Sequence, residues 1–200
     1  MQPIHSLYQQ HKIAIKQRLF LFSQVIDAED IFYELCFCLL TPQTNGKQCW
    51  KCVELLKKAD FFRKPIDPHL FIKDLRFHNS KHRYLLAAKS QFSLVLQQLR
   101  TITDAKILRE WFVNNIKGYG YKEASHFLRN IGYRQLAILD RHILRNLQRY
   151  NVVKILPKTL TKKHYLAIEQ QFLAFSEKIG IPMDELDLLF WSHETGEIFK

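Results

Sequence analysis

The sequence predicts an all-α protein, and three observations carry that prediction. Apolar residues recur at helical spacing along most of the 200 residues, and no alternating run is long enough for a strand. Six glycines and six prolines are also few punctuation marks for a chain of this length. Apolar residues make up 47% of the chain, enough to bury a core without metals or disulfides.

Helical spacing runs through Ile4, Leu7, Tyr8, Ile15, Leu19 and Phe22, which predicts a first helix over 4–22. Asp27-Ala-Glu-Asp offers capping chemistry to a second over 29–40, almost wholly apolar after Glu34 and so expected to be buried. Thr41-Pro-Gln-Thr-Asn-Gly ends it, and a third helix follows over 47–59. Residues 60–81, with Pro65 and Pro68, read as irregular. Helices are then expected near 82–99, 104–115, 122–131, 138–150, 162–179 and 183–193.

Cys36, Cys38, Cys49 and Cys52 crowd into one region, which suits a reducing compartment better than a disulfide framework. A four-thiolate zinc site is the alternative to core packing. Core packing is the expectation, because all four fall within helical apolar patterns and buried cysteine behaves as a small hydrophobe. No metal ligand and no cofactor are expected. No basic segment leads into an apolar run at the start, and no stretch approaches the roughly 20 apolar residues of a membrane span. A cytoplasmic protein is expected.

Thirty basic against nineteen acidic residues leave a net charge of +11. Eight of the basic residues and only two acids lie between Lys117 and Lys154, a local excess of +6. Such a field favours polyanions, chiefly nucleic acid. Within this region Lys117-Gly-Tyr-Gly-Tyr-Lys joins two predicted helices. Gly118 and Gly120 permit a tight turn and close backbone approach, and the following helix start could hold a phosphate. Helix, Gly-x-Gly turn, helix is a helix-hairpin-helix, which grips DNA backbone without reading sequence. Lys117, Gly118, Gly120 and Arg141 are the candidate backbone-binding residues.

Lys122 falls in the first turn of the second hairpin helix. The positive end of the helix dipole there favours the neutral amine needed for nucleophilic attack. The residues alone leave two readings open, a nucleophile or a lysine reaching for phosphate. Asp140 follows at the start of the next helix, where a carboxylate caps backbone amides and stays ionised. Capping and catalysis are compatible.

Three blocks carry a family resemblance. They are Glu34-Leu-Cys-Phe-Cys-Leu-Leu-Thr; Lys117 to Tyr133 with Ala137-Ile-Leu-Asp-Arg-His-Ile-Leu; and Glu185-Leu-Asp-Leu-Leu-Phe-Trp-Ser-His-Glu-Thr-Gly with terminal Lys200. With these the chain resembles the archaeal-type 8-oxoguanine DNA glycosylase/AP lyases of the helix-hairpin-helix superfamily. The resemblance implies two helical subdomains with a cleft between them, one over 25–132 and one formed by 1–24 with 133–200. It implies that Lys122 attacks C1′ of the damaged nucleoside, that the Schiff base formed undergoes β-elimination, and that Asp140 assists. It points to Phe77 and Trp191 as walls around the flipped base, each of which could instead be core. Lys200 would help distinguish 8-oxoguanine from guanine, unless it is a frayed end. Gln43 would fill the gap left by the flipped base, unless it is a plain turn residue. The iron–sulfur cysteines of the endonuclease III branch are absent.

The implied partner is double-stranded DNA containing 8-oxoguanine or an abasic site, met by a monomer without a membrane. Two rival readings remain: a glycosylase of this fold for an oxidised pyrimidine, and a non-catalytic module that only holds DNA backbone.

Overall fold

The computed structural model describes residues 4–200; residues 1–3, which the sequence reading includes in the second subdomain, lie outside the described residues. Helices joined by turns and irregular segments make up the described residues, with no strand among them. They divide into two compact units, Val25–Phe127 and Met1–Gln24 with Leu128–Lys200. The change from one unit to the other falls within a helix, just before the turn at 132–133 where the sequence reading divides the chain.

The unit of residues 25–127 is built around α2 (Ala28–Leu40), whose residues from Ile31 to Leu40 are all buried. Asp27 starts it by accepting the Glu29 N–H at 2.8 Å. A helix apolar on every side must be covered on every side; α3 (Gly46–Lys58) and α5 (His78–Ser90) pack against it. Asn45 caps α3, accepting from Lys47 and Gln48. All four cysteines are buried within this unit, and Cys49 Sγ donates to the Leu40 carbonyl at 3.1 Å. They are core, and among the described residues no group of three or more His, Cys, Asp or Glu side chains is placed to hold a metal ion.

Two parts of this unit differ from the sequence reading. Residues 60–81 are not irregular throughout: α4 (His69–Ile72) lies within them and α5 already begins at His78. The expected helix over 82–99 is two helices, α5 and α6 (Phe92–Thr101), parted at Gln91. The reason is packing. The break lets Phe92 enter a cluster with Phe32 and Phe62, ring centroids 5.1 and 5.7 Å away. Aromatic burial of that kind outweighs one interrupted helical turn. α7 (Ala105–Asn115), capped by Asp104, and the start of α8 (Tyr121–Asn130) complete the unit.

The other unit centres on α11 (Met183–Thr195), buried from Met183 to Phe190. Around it pack α1 (Ile4–Ser23), α9 (Arg141–Arg149) and α10 (Lys162–Ile179). α11 carries three buried carboxylates, and each holds a different neighbour. Asp184 accepts the Gln135 N–H at 3.1 Å, Glu185 accepts the Tyr8 hydroxyl, and Asp187 pairs with Arg129 at 3.2 Å. Buried charges need such partners to be tolerated. No described helix is long and apolar enough to cross a membrane.

Candidate active site

The hairpin is anchored through its central aromatic. Tyr119 is buried, packs on Phe112 and Phe127, and donates its hydroxyl to the Leu35 carbonyl of α2 at 3.1 Å. Gly118 adopts φ +96, and a Cβ there would lie 2.5 Å from the Tyr84 ring. Glycine is therefore required at 118 by both conformation and space. Gly120 has a different task. It stands at the N-cap of α8, and its N–H donates to Glu123 Oε2 at 3.2 Å, which is half of a capping box. Across the hairpin, Arg109 Nη1 donates to Ser125 Oγ at 3.2 Å and the Tyr121 hydroxyl donates to Glu110.

This scaffold sets the position of Lys122. Its amine donates to Thr41 Oγ1 at 3.4 Å, at the C-terminal end of α2, and lies 3.3 Å from Glu123 Oε1. The side chain is 24% exposed. Lys117, by contrast, is exposed. The positive end of the α8 dipole at Lys122 is thus met by an adjacent carboxylate, which the sequence reading did not weigh.

Two further predicted residues of this unit stand out from its surface in strained backbone. Phe77 is 50% exposed, so it is not core, and adopts φ +59 at the start of α5 with the Arg76 guanidinium 4.8 Å above its ring. Gln43 is exposed at the tip of the 41–44 turn with φ +53. Left-handed conformations at non-glycine residues concentrate where function holds them. Through Thr41 the structure ties the Gln43 turn to Lys122. α5 brings a residue that sequence reasoning missed: Lys81, one turn after Phe77, donates to Thr44 Oγ1 at 2.5 Å.

In the other unit Asp140 is the N-cap of α9. Its Oδ1 accepts the N–H groups of His142 and Ile143, both at 2.8 Å. The segment before it is fixed by α10: Glu169 accepts the Ala137 N–H at 2.9 Å, and the Tyr165 hydroxyl bridges the Ala137 carbonyl and the Leu139 N–H. Capping uses one carboxylate oxygen, which leaves the other for chemistry. Asp187 lies near enough to feel the Asp140 charge. Burial pushes the Asp187 carboxyl up to about 7, with Arg129 pulling it down and Asp140 and Asp184 adding to the rise. Trp191, half-buried, sits one turn beyond Asp187. Arg141 is exposed. The tail to Lys200 is half-buried, and Arg18 donates to the Ile198 carbonyl at 3.5 Å. Not all of the local basic excess faces outward: Arg129 is buried against Asp187 and the Phe22 ring.

Comparison with known proteins agrees with the arrangement of the hairpin. The family model described as 8-oxoguanine DNA glycosylase matches residues 15–181. The 8-oxoguanine DNA glycosylase/AP lyase of Fusobacterium nucleatum is 42% identical, over 98% of this chain and 96% of that protein. The protein of the same name from Methanocaldococcus jannaschii is 38% identical over 86% of this chain and 84% of its own. The crystal structure of the Methanocaldococcus jannaschii 8-oxoguanine glycosylase/lyase with a 15mer DNA containing 8-oxoguanine superposes with a TM-score of 0.90 at 34% identity, covering 98% of this chain and 97% of that one. That of the Thermotoga maritima 8-oxoguanine DNA glycosylase gives 0.88 at 28% identity, covering 98% and 96%. This chain belongs to the 8-oxoguanine DNA glycosylase family.

Proposed function

We propose that the chain is a bifunctional base-excision repair enzyme that flips 8-oxoguanine out of duplex DNA, excises it and nicks the strand. Lys122 is the nucleophile. Its uncharged amine attacks C1′ as the bond to the base breaks and the base leaves. The nitrogen gives up a proton, and the C1′–O4′ bond opens with O4′ taking a proton. The Schiff base so formed loses a C2′ proton as the C3′–O bond breaks and the 3′ phosphate departs. Asp140 takes up the amine proton and stabilises positive charge on the sugar. Phe77, Trp191 and Lys200 surround the flipped base, and Gln43 occupies the space it leaves. Lys117, Gly118, Gly120 and Arg141 meet the backbone. The enzyme acts as a monomer in the cytoplasm.

The observation that carries this reading is the setting of Lys122. A lysine kept for phosphate extends into water, as Lys117 does; Lys122 is drawn back onto Thr41 and Glu123. Borohydride reduction in the presence of a duplex containing 8-oxoguanine is expected to trap a covalent adduct, absent in Lys122→Gln. An adduct that persists in that variant overturns the assignment. Salt-sensitive binding with no adduct would indicate a backbone-binding module, and preferential trapping on an oxidised pyrimidine would move the substrate to that class.

A further inference from the structure

The turn at 41–44, between α2 and the Asn45 cap of α3, receives two lysines. It closes with the Thr44 N–H on the Thr41 carbonyl at 3.1 Å. The Lys122 amine reaches Thr41 Oγ1, and the Lys81 amine reaches Thr44 Oγ1. Each hydroxyl spends its own hydrogen elsewhere, Thr41 on the Cys38 carbonyl at 3.0 Å and Thr44 on the Pro42 carbonyl at 3.3 Å. Each therefore accepts from its lysine. Gln43 stands between them.

Lys81 is only 2% exposed. Lysine is among the residues least often fully buried, and an ammonium group out of water is costly without a counter-charge. The partner here is a neutral hydroxyl. Burial pushes the Lys81 amine below its ordinary value and the Lys122 charge adds to that, while Cys49 and Cys52 act in the other direction. Within this unit Lys122 faces Glu123 on its own helix, Cys49 on α3 and Lys81 on α5. Burial pushes the Cys49 thiol up to about 12, so it is uncharged at neutral pH. Glu123 meets the Lys122 amine with opposite charge and Lys81 with like charge.

We propose that Lys81 is a positioning residue for the reaction: it braces the turn that carries Gln43, and it sets a second cation on the turn that receives the Lys122 amine, opposite in sign to the adjoining Glu123. The inference rests on Lys122 being the nucleophile. It adds a residue that touches no substrate yet joins the start of α5 at Phe77, the Gln43 turn and the reacting amine.

The test is the pH dependence of single-turnover borohydride trapping on duplex containing 8-oxoguanine or an abasic site. Lys81→Gln keeps a donor for Thr44 without charge, Lys81→Met removes both, and Lys81→Arg keeps the charge. The Gln and Met variants are expected to move the midpoint of trapping up by about one pH unit, with the rate recovered at high pH; the Arg variant is expected to keep the unaltered midpoint. If the Met variant does not fold, the Gln and Arg pair decides. Identical midpoints in all variants, whatever their rates, overturn the electrostatic role and leave a merely structural lysine. Failure of the reading beneath looks different: the unaltered protein gives no adduct, or Lys122→Gln still does, and either result removes this inference as well.

Discussion

Lys122 and Glu123, neighbours in the first turn of α8, are bound together at 3.3 Å while the same carboxylate closes the helix start on Gly120. One acid thus holds the hairpin in shape and lies against the Lys122 amine. Glu123→Gln should separate the two tasks. The amide oxygen still accepts from Gly120, so thermal stability changes little, whereas loss of the charge lowers the midpoint of borohydride trapping by about half a pH unit. An unmoved midpoint would show that the pair does not control the proton on Lys122.

Asp140 separates in a similar way. Asp140→Ala removes the α9 cap and should lower stability by about 1 kcal/mol in urea denaturation. Asp140→Asn keeps an oxygen for the His142 and Ile143 amides and should retain stability. Both variants should lose adduct formation with the 8-oxoguanine duplex. Full activity of the Asn variant would reduce Asp140 to a cap.

Gly118→Ala places a methyl group against the Tyr84 ring and forces alanine into φ +96. A stability loss of about 1–3 kcal/mol is expected. Gly120→Ala meets only the movable end of Glu123, 3.2 Å away, and should cost less. Denaturation curves for the two variants compare them directly; equal losses would contradict the division of tasks between the glycines.

Phe77→Ala should leave stability within about 0.5 kcal/mol, since the ring is half in solvent. Binding of duplex containing 8-oxoguanine should weaken roughly tenfold, in line with the ~1–3 kcal/mol of aromatic stacking on a base. Fluorescence anisotropy with lesion and undamaged duplexes measures this, and an equal effect on both would remove Phe77 from lesion recognition.

Asp187 gives a pH signature. Burial raises its pKa from 3.8 to about 7, so between those values the folded protein keeps a proton that the unfolded chain has lost. The contribution of this group is full below pH 3.8, declines as pH rises towards 7, and levels off above it. Asp187→Asn cannot ionise, so its stability should fall less steeply over that window. Parallel pH–stability curves for the two proteins would place the Asp187 pKa near its ordinary value.

Much of this molecule was legible in the order of its residues. Helical periods, the caps at Asp27 and Asp140 and the glycine at 118 are local matters, settled by backbone geometry within a few positions. The place of Lys122 in a helix start was also legible, because it is a property of the chain itself.

Tertiary packing decided the rest. Nothing near Gln91 forbids a continuous helix; Phe92 breaks it there to join rings from other elements. Nothing near Lys81 marks it as different from the other lysines until α5 turns it inward onto Thr44. Nothing near Tyr119 in sequence foretells that its hydroxyl meets the Leu35 carbonyl. The physical reason is common to all three. Burial and charge proximity depend on residues tens of positions apart in sequence, and those meet only when whole faces of helices close on one another.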